Sequence, residues 1–211
     1  MCLPSRFLRS LLLGLCLWLP LPAALAAPVA GTDYVEIEGG APFQPQPGTL
    51  EVAEVFAYWC GHCAAMQPKL EAWKRTLPRD VRVTYVPLPG GRDDMLARGF
   101  FVAERLGALP RVHAATYRAI HEQQSLPRNP TADEMAAFYA GFGLDAAKVR
   151  AALLDPALAD QLARARRFAI ESGVEGTPTL VVAGRYRVLG RTLDDSLRIA
   201  GELVAMLRTR R

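Results

Sequence analysis

A long block without any strand signal most constrains the fold of this 211-residue chain. Residues 94–172 carry helix patterns throughout, including the capping box formed by Thr131 and Glu134. Asp155 followed by Pro156 predicts the start of the last helix in the block. Because strand-like runs lie on both sides, the sequence predicts an α/β fold in which an all-helical segment interrupts a sheet.

The flanking segments predict the order of the sheet elements. Residues 50–59 form a mostly apolar run, rich in β-branched and aromatic residues, and predict a buried strand of a mainly parallel sheet. Helical periodicity follows at once, and residues 81–88 predict a second strand, which makes a right-handed crossover unit. Residues 177–190 predict two strands joined by a tight turn, and Thr192 caps a closing helix. The order is β-α-β, helical block, β-β-α.

The first residues have the three-part layout of a secretory signal. Arg6 and Arg9 form a basic head, residues 11–19 are almost wholly apolar, and residues 24–26 read Ala-Leu-Ala. The apolar core is shorter than the roughly 20 residues that span a bilayer. We therefore expect residues 1–26 to be a cleaved signal peptide, with an uncleaved membrane anchor as the alternative.

Cleavage would change both the charge and the cysteine content. It would leave 185 residues with 23 basic and 21 acidic side chains, a net charge of +2, which argues against a nucleic-acid-binding protein. Cys2 and Cys16 would leave with the signal, so that Cys60 and Cys63 alone of the four cysteines remain. Since disulfides persist outside the cytosol, a bacterial periplasm is the expected location.

The pair Cys60 and Cys63 has three conceivable uses. Zinc needs about four ligands, but no second cysteine pair exists, His62 would strain to reach the same ion, and His113 and His121 lie apart in the helical block. A purely structural disulfide closing so short a loop would restrict the unfolded chain little. Redox chemistry is the favoured interpretation, and we expect no metal.

The position of Cys60 explains why redox chemistry is favoured. A strand that turns directly into a helix places Cys60 at the helix N-terminus, where free N–H groups and the helix dipole favour an anion. The pKa of Cys60 should therefore be low, with Cys63 one turn further on as the resolving thiol. An imidazolium at His62 would stabilise the thiolate further. Because a stabilised dithiol makes its disulfide easy to pass on, the sequence predicts a disulfide donor.

Three features together resemble the DsbA-type periplasmic thiol:disulfide interchange proteins of the thioredoxin superfamily. They are the motif EVFAYWCGHC, the long helical insertion and the motif VEGTPTLVVAGRY, and the resemblance extends over nearly all of residues 33–211. It implies a thioredoxin fold with a central mixed sheet. The implied domains are a thioredoxin-like one, residues 27–93 and 173–211, and an inserted helical one, residues 94–172. No cofactor is implied beyond the redox-active disulfide.

The resemblance also implies roles for residues around the cysteines. Pro178 is expected to be cis and to lie beside them, exposing the backbone of Thr177 for pairing with an extended substrate; an ordinary strand-opening proline is the alternative. Gly61 and His62 separate the two cysteines, where the most studied relatives carry Pro-His. The Gly-His dipeptide also occurs in disulfide isomerases.

Glu54 corresponds to an acidic residue that relatives place beneath the disulfide. The resemblance implies a proton acceptor for the deeper cysteine, and a carboxyl group in an apolar strand should have a raised pKa. Some relatives carry a lysine opposite this acid, whereas this sequence offers Thr84. The alternative is that Glu54 or Glu51 lies at a partly solvated strand end.

The resemblance implies unfolded or reduced exported proteins as substrates and a membrane quinone-linked oxidase of the DsbB type as partner. A disulfide isomerase or reductase is a rival, disfavoured because no dimerisation module precedes the first core strand; a monomer is expected. The second rival is a periplasmic holdase that uses an apolar rim of Tyr58, Trp59 and Met66.

The remaining polar residues that stand out are assigned no function. His113 and His121 are expected at solvated or core-edge positions of the helical block. Arg164, Arg166 and Arg167 are expected to form a solvated helix face.

Overall fold

The computed structural model describes residues 27–91 and 93–209, so the predicted signal peptide, residues 1–26, lies outside the described part of the chain. In chain order the elements are β1 (Tyr34–Glu36), β2 (Leu50–Phe56), α1 (Gly61–Lys74), β3 (Val81–Pro87), α2 (Met95–Arg105), α3 (Leu109–His121), α4 (Ala132–Ala140), α5 (Ala146–Leu153), α6 (Leu158–Glu171), β4 (Thr179–Val182), β5 (Tyr186–Val188) and α7 (Leu193–Thr209). In these described ranges no helix is long and apolar enough to cross a membrane.

The central sheet is mixed, with strand order β1-β5-β4-β2-β3. The expectation of a mainly parallel sheet is wrong, because β2 and β3 pair in parallel while β4, β5 and β1 add in antiparallel fashion. Strand β4 enters the sheet antiparallel to β2 after the helical insertion. The turn at Ala183 and Gly184, both with positive φ, then sends β5 back along β4. Strand β1 lies in a Pro/Gly-rich segment before β2, residues 27–49, which we call the lead-in and in which the sequence predicts no strand.

Strand β2 is buried along its whole length because both faces of the sheet are covered. Leu50 and Val52 pack in a core with side chains of α1 and α7. Ala53 and Val55 point to the other face and belong to a second core, which side chains of the helical insertion complete. This two-sided burial explains why β2 has an apolar run and not an alternating pattern.

Helices α2 to α6 follow one another between β3 and β4, as the sequence predicts. The capping box is present, since Thr131 Oγ1 accepts from Glu134 N and the Glu134 carboxylate accepts from Thr131 N. Helix α6 begins at Leu158 and not at Pro156. Asp155 accepts a hydrogen bond from Ala157 N and caps a turn that precedes the helix.

Helix α1 runs without interruption through Pro68, from Gly61 to Lys74. One further expectation, that of a solvated arginine face on α6, needs qualification. Arg164 is exposed like Arg166 and Arg167, but its side chain also contacts Phe43. Its guanidinium lies over the Phe43 ring at 4.2 Å and donates to the Phe43 carbonyl oxygen, which ties α6 to the lead-in.

Candidate active site

Cys60 lies where strand β2 passes into helix α1. Strand β2 ends at Phe56, and Cys60 N donates to the carbonyl of Ala57 at 3.1 Å, which closes a tight turn. Cys60 is the N-cap residue of α1 with an extended backbone, and its carbonyl accepts the first helical bond from Ala64 N. Its half-buried thiol therefore lies at the free N–H groups of the helix, as predicted.

The pKa of Cys60 is lowered because hydrogen bonds to its sulfur outweigh the opposing effect of partial burial. These bonds come from the side chain of Thr177, from the backbone N–H and the thiol of Cys63, and from the backbone N–H of His62. The contribution of His62 thus comes from its backbone, while the role of its exposed ring stays a prediction. The surroundings of Cys60 favour the thiolate.

Cys63 has the opposite environment. It is fully buried, and burial raises its pKa well above that of a free thiol. The nearby Glu54 carboxylate raises this pKa further. Cys60 and Cys63 are both free cysteines in this structure. The motif therefore joins one thiol that ionises readily to one that holds its proton.

A cis peptide bond between Thr177 and Pro178 lies beside Cys60, as the resemblance implies. The thiol of Cys60 donates to the Thr177 carbonyl oxygen at 3.3 Å. Strand β4 begins at the next residue, Thr179, and runs antiparallel to β2. The two motifs that the sequence singled out, more than a hundred residues apart, thus meet at one sulfur atom.

Glu54 is buried, with 1% of its surface exposed, and its Oε1 has no hydrogen-bond partner. Burial raises the pKa of Glu54 to about 8, with Lys74 opposing the shift and Glu71 and Cys60 adding to it. Glu51 is buried too, and its carboxylate accepts from Phe43 N at 2.6 Å. The alternative of a partly solvated strand end is therefore wrong for both residues.

The positive charge near Glu54 comes from helix α1. Thr84, suggested by the sequence as the residue opposite, lies on the other face of the sheet and donates to Glu51 at 3.0 Å. Tyr85 is the cross-strand neighbour of Glu54. Its hydroxyl bonds to Glu71 and accepts from Lys74 Nζ at 3.1 Å. Lys74 is thus the cation whose charge opposes the rise in the pKa of Glu54.

The sequence missed a group of side chains behind the active-site turn. His113, expected at a solvated or core-edge position, is buried, and burial lowers its pKa to about 3. Its Nδ1 lies 2.7 Å from the Tyr58 hydroxyl. His121 is half-buried, and its Nε2 lies 2.7 Å from the Tyr58 carbonyl oxygen. The spacing of His113, Tyr117 and His121 at every fourth residue was the available signal.

Of the three residues expected to form an apolar rim, only Trp59 is exposed. Tyr58 and Met66 are buried in the core, whereas Trp59 leaves 37% of its surface exposed next to Cys60. Trp59 borders a groove of about 270 Å³ whose other walls include Met95 and Pro130. Within residues 27–91 and 93–209, no group of three or more histidine, cysteine or acidic side chains is placed to hold a metal ion.

The geometry defines a class of protein. A parallel strand delivers the first cysteine of CxxC to a helix N-terminus, a cis-proline opens the antiparallel strand beside it, and the second cysteine is buried beneath. This is the arrangement of a thioredoxin-fold thiol:disulfide oxidoreductase with a helical insertion between β3 and β4.

Comparison with known proteins gives the family. The profile of the DSBA-like thioredoxin domain matches residues 92–199. The chain is 38% identical over 159 residues to the thiol:disulfide interchange protein DsbA of Pseudomonas aeruginosa, covering 75% of this chain and 74% of that protein. It is 36% identical over 183 residues to DsbA of Azotobacter vinelandii, covering 85% and 84%.

Solved structures agree with this assignment. The crystal structure of the oxidoreductase DsbA from Xylella fastidiosa superposes with a TM-score of 0.83 at 43% identity, covering 87% of this chain and 99% of that one. The chain therefore belongs to the family of DsbA-like thioredoxin-domain proteins, and it is a thiol:disulfide oxidoreductase.

Proposed function

We propose that this enzyme donates the Cys60–Cys63 disulfide to newly exported proteins in the periplasm. The observation that carries the proposal is the placement of the two cysteines, with Cys60 half-buried at the N-cap of α1 and Cys63 buried one turn further along the helix. This placement lowers the pKa of Cys60 and raises that of Cys63. A dithiol whose outer sulfur is stabilised as a thiolate favours the reduced enzyme, so its disulfide is a strong oxidant. The predicted signal peptide and the family support the periplasmic location.

The first half of the reaction forms a mixed disulfide. A substrate thiolate attacks the sulfur of Cys60, the more accessible of the two, and breaks its bond to Cys63. Cys63 leaves as a thiolate and takes up a proton, since its buried environment disfavours the charge. The backbone of Thr177, beside the cis-proline Pro178, pairs with the extended substrate and holds its cysteine at Cys60.

The second half releases the product. A second substrate thiolate attacks the substrate sulfur of the mixed disulfide, and Cys60 leaves as the stabilised thiolate. The substrate has then lost two electrons and gained a disulfide, while the enzyme has gained two electrons as its dithiol. The hydrogen bonds at the start of α1, including those from the backbone of His62 and Cys63, assist this departure. Gly61 lies at an open position, where a Cβ would meet no atom within 4 Å apart from the neighbouring residues of the chain.

Glu54 exchanges the proton of Cys63. With a pKa of about 8, its carboxyl group is mostly protonated at pH 7 but still has an ionised fraction of about one tenth. The acid form supplies a proton when Cys63 leaves during substrate oxidation. The ionised form accepts it when Cys63 must become a nucleophile during reoxidation.

Reoxidation falls to a membrane quinone-linked oxidase of the DsbB type, which withdraws two electrons through a mixed disulfide with Cys60. The enzyme itself needs no bound cofactor, acts as a monomer and binds no nucleic acid. Its substrates are unfolded or reduced exported proteins.

The reduction potential tests the direction of the reaction. Equilibration with glutathione buffers should give a potential well above the value of about −270 mV found for thioredoxin. The Gly61-His62 dipeptide favours the alternative of a disulfide isomerase or reductase. A reduction potential near that of thioredoxin would support this alternative and contradict the donor function.

Substitution of Cys60 tests the other rival, a holdase that binds unfolded chains at an apolar rim. Cys60→Ser should abolish oxidation of a reduced, unfolded substrate. The holdase would instead be supported if the unmodified enzyme showed no oxidase activity and the Cys60→Ser variant still suppressed the aggregation of unfolded chains.

A further inference from the structure

The turn that carries Cys60 is held from the helical insertion through Tyr58. Tyr58 precedes Cys60 by two residues, and only 2% of its surface is exposed. Its hydroxyl lies 2.7 Å from Nδ1 of His113. Its carbonyl oxygen lies 2.7 Å from Nε2 of His121, and because a carbonyl can only accept, His121 donates. Helix α3 thus contacts both the hydroxyl group and the carbonyl oxygen of Tyr58.

The contacting residues form one face of α3. His113, Tyr117 and His121 recur at every fourth position, so their side chains lie above one another on the helix. The Tyr117 ring centroid lies 5.0 Å from that of Tyr58, 5.4 Å from that of His113 and 6.3 Å from that of His121. We call these three residues the α3 clamp.

The clamp fixes the backbone just before the reactive cysteine. The bond from His121 sets the plane of the peptide unit between Tyr58 and Trp59. The preceding carbonyl, that of Ala57, is held by Cys60 N at 3.1 Å. Two successive carbonyl groups of the turn between β2 and α1 are therefore oriented, one by the turn itself and one by the insertion. The direction in which Cys60 presents its sulfur to the first N–H groups of α1 depends on both.

We propose that His113 and His121 are positioning residues for Cys60, which hold the active-site turn through Tyr58 so that the sulfur stays aligned with the start of α1. This inference rests on the disulfide-donor function proposed above and assigns the insertion a part in it. The histidines act through Tyr58, and the reacting atoms remain those of Cys60 and Cys63. A buried network that only stabilised the fold would leave the ionisation of Cys60 unchanged.

Three substitutions on α3 test this role. His121→Phe keeps an aromatic ring and removes the donor, whereas His121→Gln keeps an N–H group near the position of Nε2. Arg118→Gln, at an exposed position of the same helix, is the matched control. The readouts are the pH midpoint of Cys60 alkylation in the reduced protein and the equilibrium constant with glutathione.

We expect His121→Phe to raise the midpoint by at least about half a pH unit, which corresponds to about threefold less thiolate at a given pH below the midpoint. The equilibrium constant should fall by a similar factor. His121→Gln should restore most of both values, and Arg118→Gln should match the unaltered enzyme. Folded His121→Phe with an unchanged midpoint and equilibrium constant would overturn the proposal.

If His121→Phe does not fold, Tyr58→Phe tests the proposal in its place. This change removes only the hydroxyl next to His113 and should raise the midpoint of Cys60 alkylation by a smaller amount. An unchanged midpoint in this folded variant would also overturn the proposal. If the unaltered enzyme has the midpoint of a free cysteine, the disulfide-donor function itself fails. A low midpoint shared by enzyme and variants refutes the clamp alone.

Discussion

Cys60 and Cys63 are chemically identical side chains three positions apart, and their surroundings alone make them different. Cys60 is half-buried and receives hydrogen bonds from backbone N–H groups, so its pKa falls. Cys63 is one turn deeper, where burial and the Glu54 carboxylate raise its pKa. The helix that provides the N–H groups also carries Cys63 into the core. One local structure therefore produces both shifts.

Glu54 should make the stability of the protein depend on pH. Its pKa in the folded state, about 8, lies above the value of about 4.3 in an unfolded chain, so the folded state binds the proton more tightly. The stabilisation is complete below about pH 4.3 and is lost as pH rises to about 8. Glu54→Gln should therefore become more stable relative to the unaltered protein as pH rises, by about 4–5 kcal/mol at pH 8.

Denaturant unfolding of the oxidised proteins measures this effect, because their cysteines do not titrate. The difference in free energy of unfolding between variant and unaltered protein isolates Glu54 from other titrating groups, including His113. A difference that stays constant from pH 4 to pH 8 would mean that folding leaves the pKa of the Glu54 carboxyl group unchanged, and would contradict the prediction.

At the scale of single elements, the β4–β5 turn is packed against the lead-in segment. Gly184 has a φ of +67°, and a Cβ at this position would overlap the backbone of Ala41 and Pro42. The lead-in in turn supplies backbone N–H groups to Glu51 on β2. The turn, the lead-in and the central strand thus depend on one another.

Gly184→Ala should be far more destabilising than the same change at Gly173. Both glycines have positive φ, where alanine costs about 1 kcal/mol in backbone strain. Gly173 meets only the flexible side chain of Arg187 at 3.4 Å, whereas Gly184 faces fixed backbone. We expect about 1 kcal/mol for Gly173→Ala and at least about 3 kcal/mol for Gly184→Ala in denaturant unfolding. Equal losses would show that the lead-in moves away freely.

At the scale of the whole molecule, patterns within one segment were predictable and contacts between distant segments were not. The apolar run of β2, the capping box at Thr131 and the position of Cys60 at a helix start all follow from local sequence. Strand β1 was missed because three residues in a Pro/Gly-rich segment give no alternation to detect. It exists because β5 offers a free edge.

The same distinction applies to the candidate site. Cys60, Cys63, Thr177 and Pro178 were identified because motifs carry them. Lys74 was not found as the partner of Glu54, since only the packing of α1 on β3 brings its amine to the Tyr85 hydroxyl. A histidine pattern on a helix does not reveal whether it faces solvent or core, so the α3 clamp also required the tertiary structure.

The redox state of the site should change the stability of the entire fold. Because the pKa of Cys60 is lowered on folding, the folded thiolate stabilises the reduced protein. This contribution is fully present above the unfolded value of about 8.5 and is lost as pH falls through the folded pKa. The reduced form should therefore gain stability over the oxidised form as pH rises from 4 to 8.

Thermal unfolding of both redox forms across this pH range tests the prediction. A disulfide that closes so short a loop stabilises the oxidised form little, so the reduced form should have the higher Tm at neutral pH. The Cys60→Ser variant, which lacks the titrating sulfur, is the control and should lose the pH-dependent gain. A higher Tm for the oxidised form at pH 7 would contradict the proposed direction of disulfide transfer.

The most direct test of the account is the pH dependence of Cys60 alkylation in the reduced enzyme. The N–H groups at the start of helix α1 are expected to stabilise the thiolate, so the midpoint should lie well below the value of about 8.5 for a free cysteine, with Cys63 unreactive over the same range. A midpoint at the free-cysteine value would contradict both the activation of Cys60 and the donation of its disulfide.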